Sequence, residues 1–227
     1  PHWPTYYPAV ASGTNLETIY DFGGFDPALN RIVYPAKGAP ELAARVESLI
    51  KGAGFQSAQD PQRGLDHGAW VPLYLAYPDA DVPVVAVSIM PREAPDYHIK
   101  LGEALAPLRG EGVLIIASGS MTHNLSAIQF RAPAAPAYDW VASFTSWVNT
   151  SLDARDIAGL TRYRQHPTGT ANHPSAEHFL PLFVAVGAAG LHKDGAATAT
   201  RVERIHHSTM YAALNMDAYM FSDQLAA

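Results

Sequence analysis

Residues 82–90 read VPVVAVSIM and residues 112–118 read GVLIIAS, and these two apolar runs decide the predicted fold. Short runs that are rich in β-branched residues are typical of strands covered on both faces of a sheet. Between them, residues 97–108 place leucines on one face of a predicted helix. A strand, a helix and a second strand in this order indicate a parallel connection, so the sequence predicts an α/β fold.

Further regular elements are predicted on both sides of this unit. They comprise helices over residues 40–50, 138–152 and 176–188 and strands over residues 198–206 and 218–221. We therefore expect a single α/β domain over residues 1–227, with a mostly parallel or mixed central sheet flanked by helices. Ligands of such sheets bind at the carboxyl ends of the strands. The loops after Met90 and Ser118 are accordingly the first candidates for a functional site.

The composition restricts the chemistry that the chain can perform. It has 10 histidines and no cysteine, and its 15 Lys and Arg against 21 Asp and Glu leave a net charge of -6. This balance offers no positive surface for nucleic acid, and no polybasic run or apolar stretch of about 18 residues indicates a membrane, so we expect a cytoplasmic protein. Without cysteine, disulfides, iron–sulfur clusters and thiolate zinc sites are excluded. A metal site must then use imidazole, carboxylate and water, which suit Fe(II), manganese or catalytic zinc.

Four histidines stand where local chemistry favours a site. His67 lies in the segment GLDHGAW, where its neighbour Asp66 is not expected to face it, and His123 follows the second apolar run. His178 is predicted in the first turn of an apolar helix, and His2 would directly follow a strand. Each of them taken alone is more often a capping or surface residue than a ligand.

The remaining histidines and nearby motifs have simpler interpretations. Neighbours on a strand point to opposite sides, so at most one of His206 and His207 can face a site. Glu177 is expected to stabilise a helix N-terminus, and Gly119 after a strand is a common feature. The sequence has no Gly-x-Ser-x-Gly and no His-Glu-x-x-His motif, which disfavours serine hydrolases and zincins. Four histidines are interpreted as surface or turn residues, namely His98, His166, His173 and His192.

Several segments, in a fixed order along the chain, together resemble the class III extradiol ring-cleavage dioxygenases, in the branch of the DOPA 4,5-dioxygenases. Any one of the motifs is weak, whereas the ordered set is specific and runs from residue 1 to about residue 190. The matching segments are HW at 2–3, IYDFGGF at 19–25, YPAKGAPELA at 34–43, GLDHGAW at 64–70, YPDADVPV at 77–84, ASG at 117–119 with HNL at 123–125, HPSAEHFLPL at 173–182 and NMDAY at 215–219.

The resemblance implies a function and roles for particular residues. Members of this family bind one non-haem Fe(II) and use O2 to open a catechol ring beside its two hydroxyl groups, which yields a muconic semialdehyde. By resemblance, His2 and His178 are metal ligands, while His67 and His123 line the site and move protons. In some members the residue matching His123 also contacts the metal. The implied partners are a small catechol and O2, with a homo-oligomer as a possible assembly and Zn(II) as an alternative metal in the isolated protein.

The sequence departs from the family pattern in one respect and leaves alternatives open. The family carries a further ligand histidine in a His-Gly-Ser-Pro segment after its first strand, and this segment does not occur here. The resemblance therefore implies an N-terminal strand and a ligand ahead of Pro1. A zinc-dependent hydrolase and a non-catalytic binding protein on the same scaffold are the alternatives.

Overall fold

The computed structural model describes residues 3–24, 26–192 and 200–223. These residues form two compact units that divide between Arg92 and Glu93. His2, which the resemblance assigns as a metal ligand, lies outside the described residues, as does the predicted start of a strand at residue 198. The prediction of one domain over the whole chain stays a prediction.

The described residues of the N-terminal unit form two short strands and two α-helices. Helix α1 (Pro40–Gly52) begins with a proline and an acidic first turn, as the sequence predicts, and buries Val46 and Ile50. Strand β1 (Ala9–Ala11) pairs in parallel with β2 (Ala58–Asp60). Helix α2 (His67–Ala76) follows, and a 3₁₀ turn covers Pro27–Arg31.

The predicted strand over residues 82–90 is present only as single bridges. Val84 and Ile89 make parallel bridges to Gly38 and Pro4, whereas Val87 makes an antiparallel bridge to Val10. Since partners and directions change along the segment, no continuous ladder forms among the described residues. The segment is extended, as predicted, but it is not a regular strand.

The C-terminal unit is mostly helical. Helix α3 (Pro95–Leu105) packs against α8 (Leu180–Ala188). A methyl group at Gly102 would overlap the carbonyl oxygen of Val184 on α8, so this glycine permits the close approach of the two helices. The other helices are α4 (Pro107–Gly110), α5 (Asp139–Asp153), α6 (Ile157–Thr161) and α7 (Gly169–Asn172), with 3₁₀ turns at Leu125–Ala127 and Tyr163–Gln165.

Two antiparallel strand pairs complete the described part of this unit. Strand β3 (Thr200–His206) pairs with β6 (Ala218–Asp223), and β4 (Thr209–Met210) pairs with β5 (Leu214–Asn215). Together with the parallel pair of the N-terminal unit, these pairs confirm the predicted α/β class with mixed strand directions. In the part of the chain that the structure describes, no helix is both long and apolar enough to cross a membrane.

One predicted strand and some predicted helix boundaries are wrong. The run over residues 112–118 forms no strand, and its Leu114 and Ile116 are 67% and 50% exposed. Apolar composition alone does not make a strand, because a strand needs a hydrogen-bonded partner and none of the described residues supplies one. The predicted helix over residues 97–108 is divided at Ala106 into α3 and α4, and α8 begins at Leu180 rather than at residue 176.

Two of the histidines interpreted as surface or turn residues are buried, so a surface position is wrong for both. His98 on α3 and His173 after α7 are 0% exposed. Burial lowers the pKa of each to about 4, although a hydrogen bond to the carbonyl of Ala94 or Met121 partly opposes this. Both side chains are therefore neutral in the folded protein at neutral pH.

We expect the free energy of unfolding to decrease as the pH falls from about 6.5 toward 4. The unfolded chain takes up these two protons at the ordinary histidine pKa of 6.5, whereas the folded protein takes them up only at a pKa of about 4. Acid therefore favours the unfolded state, by up to ~1.4 kcal/mol per pH unit for each histidine. Urea unfolding at a series of pH values measures this slope.

One variant isolates the contribution of a single histidine. His98→Leu removes one titrating group. The unfolding free energy of this variant should therefore change less steeply with pH, by the amount that corresponds to about one proton. His206→Gln changes an exposed histidine and serves as the matched control. If His98→Leu kept the full wild-type slope, His98 would not be a source of the acid sensitivity.

Candidate functional site

Two of the histidines selected from the sequence lie against each other in the C-terminal unit. The imidazole rings of His123 and His178 are stacked, with centroids 3.4 Å apart and an interplanar angle of 8°. His178 is buried and His123 is half-buried. The loop after residue 118, expected to carry a site residue, thus meets the segment just before α8.

Backbone hydrogen bonds hold these two histidines in place. The Ser120 N–H donates to the carbonyl of His178 at 2.8 Å, and the His123 N–H donates to the carbonyl of Asn172 at 2.9 Å. A methyl group at Gly119 would overlap the carbonyl oxygen of His178. The loop can therefore approach His178 only because residue 119 has no side chain.

A carboxylate lies beside His178. The Nδ1 atom of His178 is 3.3 Å from Oε1 of Glu177, which also accepts a hydrogen bond from Ser175 Oγ at 2.7 Å. The hydrogen bond from His178 holds the pKa of Glu177 at about 2 against the opposing effect of burial, and Ser175 helps. Glu177 is therefore an anion that orients an imidazole, and its predicted role at a helix N-terminus is wrong because α8 starts three residues later, at Leu180.

The second imidazole of the pair is electrically neutral. Burial, with a smaller contribution from the neighbouring His178, lowers the pKa of His123 to about 3. Neutral imidazole is the form that binds a metal ion, and a carboxylate behind a ligating histidine is a common arrangement. The chemistry of the pair thus fits a metal with nitrogen ligands.

The pair does not by itself make a complete metal site. Over residues 3–24, 26–192 and 200–223, no group of three or more histidine, cysteine or acidic side chains is arranged to hold a metal ion. If His123 and His178 bind a metal ion, further ligands are needed. The third histidine predicted as a ligand, His2, is outside these ranges.

His67 forms a separate histidine–carboxylate pair in the N-terminal unit. It is the first residue of α2, and its Nδ1 lies 2.8 Å from Oδ1 of Asp21. Its backbone N–H donates to the same oxygen at 3.1 Å. Burial alone would raise the pKa of Asp21, but these hydrogen bonds and the charge of His67 outweigh it and hold the pKa below its ordinary value.

The adjacent carboxylate has a different partner. Asp66 pairs with Arg63, as expected from the rule that neighbouring residues do not face each other. The carboxylate that faces the His67 ring is thus Asp21, which sequence reasoning did not select. It lies in the quoted segment IYDFGGF, yet its distance of 46 residues from His67 hides the pairing.

Comparison with known proteins decides the family. The protein-family model described as the catalytic LigB subunit of aromatic ring-opening dioxygenase matches residues 1–220. The chain belongs to this family. The resemblance to class III extradiol dioxygenases is thereby confirmed.

Relatives of this LigB-family enzyme carry consistent names. This chain is 42% identical to 4,5-DOPA dioxygenase extradiol of Beta vulgaris, over 97% of this chain and 80% of the relative. It is 38% identical to the protein of that name in Escherichia coli K12, over 82% of this chain and 69% of the relative. The crystal structure of an uncharacterized Escherichia coli K12 protein matches with a TM-score of 0.79 at 31% identity, covering 96% of this chain and 82% of that one. The chain is thus an extradiol dioxygenase, and the α/β class is that of a solved neighbour.

His173 is a residue of this LigB-family enzyme whose importance sequence reasoning missed. Its Nε2 donates to the carbonyl of Met121 at 2.9 Å, two residues before His123. Its ring stacks on Phe179 with centroids 4.7 Å apart, and Phe144 contacts it edge-on. His173 therefore supports the loop that carries His123. The sequence pointed to His173 only through its place in the family segment HPSAEHFLPL. Only the fold shows that the side chain is buried.

Gly119→Ala is expected to separate the His123 loop from His178. The added methyl group meets a backbone oxygen that cannot move aside, and such overpacking costs about 1–3 kcal/mol. Thermal unfolding and ring-cleavage assays should both show a loss.

Gly110→Ala is the matched control, because a methyl group there meets no atom within 4 Å. Equal stability and activity of the Gly119→Ala and Gly110→Ala proteins would refute the steric argument.

Proposed function

We propose that this chain is an Fe(II)-dependent extradiol dioxygenase that opens a DOPA-like catechol with O2 and releases a muconic semialdehyde. The observation that carries the proposal is the stacked pair of His123 and His178, with the anionic Glu177 behind one ring. The Beta vulgaris and Escherichia coli relatives, named for 4,5-DOPA, support the substrate class. We also propose that residues 1–227 act as one catalytic domain, since the family match runs through both units.

The metal ligands are proposed from the resemblance and from the chemistry of the pair. His178 and His2 would hold the iron, with His123 as a further ligand or as a group that moves protons beside it. A bound Fe(II) would supply Lewis acidity that lowers the pKa of the catechol hydroxyl, and a route for electrons from the catechol to O2. The task of Glu177 is to fix the orientation of the His178 ring through Nδ1.

We assign proton transfer chiefly to His67. Its Nδ1 lies 2.8 Å from Oδ1 of Asp21, whose side chain is only 22% exposed. A carboxylate on one ring nitrogen sets the tautomer and leaves the opposite nitrogen, Nε2, as the atom that exchanges a proton with substrate. This pairing favours His67 over His123 as the base that accepts the second catechol proton.

Reconstitution tests the proposed function. The metal-free protein is loaded with Fe(II) without oxygen, mixed with DOPA and then exposed to air. We expect a yellow ring-cleavage chromophore and the uptake of one O2 for each catechol. Parallel samples with Zn(II) and Mn(II) test the choice of metal. Absence of colour and of O2 uptake with iron bound, for DOPA and for simpler catechols, would overturn the proposal.

A further inference from the structure

A buried carboxylate organises the segment between β5 and β6. The side chain of Asp217 is 0% exposed, and its Oδ1 accepts hydrogen bonds from His207 Nδ1 at 2.6 Å and from Asn215 Nδ2 at 3.0 Å. In return, the Asp217 N–H donates to Asn215 Oδ1 at 3.0 Å. The two side chains and the intervening backbone therefore form a closed, rigid turn.

Positive and polar groups balance the buried charge of Asp217. Its second oxygen, Oδ2, lies 3.6 Å from Nε of Arg204 and 3.4 Å from the hydroxyl of Tyr219. The Tyr219 hydroxyl also bonds to Asn149 on α5. A buried carboxylate is tolerated only with such partners, so the turn is held from several sides.

The turn connects directly to the residue before His123. The backbone N–H of Asn215 donates to Thr122 Oγ1 at 2.8 Å, and the Thr122 hydroxyl donates to the carbonyl of Ala213 at 2.8 Å. Thr122 is 0% exposed and Asn215 is 1% exposed, so water cannot replace these bonds. The side chain of Thr122 is thus clamped between two backbone groups of the β4–β5 segment.

A second link joins the clamp to the other histidine of the pair. The Ser120 hydroxyl donates to the carbonyl of Thr122 at 2.8 Å, while the Ser120 N–H donates to the carbonyl of His178 at 2.8 Å. The loop that carries His123 is therefore fixed on one side to the Asp217 turn and on the other to His178.

We propose that Thr122, Asn215, Asp217 and His207 form a positioning network that sets the place of the His123 ring. These four act through His123 and are positioning residues, not catalytic ones. Displacing a reacting group by about 1 Å can cost about 100-fold in rate, so a buried network of this kind has a direct consequence for catalysis. That consequence rests on the proposed function, whereas the position of the ring does not.

Isosteric variants of two buried threonines test the network. Thr122→Val replaces the hydroxyl that makes these hydrogen bonds with a methyl group, whereas Thr122→Ser keeps the hydroxyl. Thr145→Val is the matched control, because Thr145 is also buried in this unit and its hydroxyl has no hydrogen-bond partner among the described residues. His207→Ala changes the exposed end of the network, so we expect it to fold. It tests the network even if the Thr122→Val protein does not fold.

The first readout is the ¹H–¹⁵N spectrum of the histidine rings in the metal-free protein, with the His123 signals identified by their loss in His123→Ala. We expect Thr122→Val and His207→Ala to shift these signals, and Thr122→Ser and Thr145→Val to leave them in place. In the iron-loaded enzyme, kcat should fall about 10- to 100-fold in Thr122→Val and less in His207→Ala, with little change in KM. Recovery in Thr122→Ser separates positioning from a general loss of packing.

The two proposals fail in different ways. A folded Thr122→Val protein with unshifted His123 signals, or an equal shift in Thr145→Val, would overturn the positioning network. An inactive wild-type enzyme would overturn the proposed function, while the ring spectra would still decide the positioning network.

Discussion

Replacing His178 with alanine is expected to abolish iron binding and ring cleavage together. The substitution removes a proposed ligand and the ring that stacks on His123, and it leaves the Glu177 carboxylate without its imidazole. Loss of a residue behind a ligand typically weakens metal affinity about 10- to 100-fold, and loss of the ligand itself should cost more. Metal content after dialysis against a known concentration of free Fe(II) measures the effect.

A graded series makes this prediction specific. Glu177→Gln keeps the ligand but removes the anionic partner, so its metal affinity should fall by only about 10- to 100-fold. His192→Gln changes a histidine that pairs with Glu103 and should keep the wild-type affinity. If His178→Ala retained iron as well as His192→Gln does, His178 would not be a ligand.

Replacing His67 with glutamine is expected to lower kcat by about 10²- to 10⁴-fold, the usual contribution of a general acid or base. Glutamine keeps a polar side chain at the start of α2, but it cannot carry a proton between substrate and solvent. Iron content should stay normal, because no ligand is changed. Steady-state kinetics with DOPA and metal analysis of the same samples measure the two quantities.

Asp21 and Asp66 provide the comparison for this effect. Asp21→Asn removes the charge that faces the His67 ring, so it should lower kcat less than His67→Gln does. Asp66→Asn breaks the ion pair with Arg63 and should reduce thermal stability while kcat stays close to wild type. Wild-type kcat in an iron-loaded His67→Gln enzyme would remove His67 from the reaction.

Part of the fold could be predicted from short-range patterns. Pro40 and Glu41 mark the start of α1, and the apolar spacing around Phe144 and Val148 indicates α5, because both signals depend on residues within a few turns. The run at residues 112–118 shows the limit of such patterns. Its composition favours a strand, but strand formation depends on a partner from elsewhere in the chain.

The candidate site divides in the same way. The ordered motifs selected His67, His123 and His178, and the absence of cysteine restricted any metal site to imidazole and oxygen ligands. The partners Asp21, Thr122 and Asp217 could not be selected, since each contacts a residue that is distant in the chain.

By itself, the sequence determined the α/β class, the main helices, the family and the identity of the candidate histidines. These follow from local periodicity, from composition and from ordered motifs, which need no knowledge of distant contacts. Only the tertiary structure decided that His98 and His173 are buried, that His123 stacks on His178 and that Asp21 faces His67. Burial and the pairing of charges depend on which remote segments pack together, and that is a property of the whole folded chain.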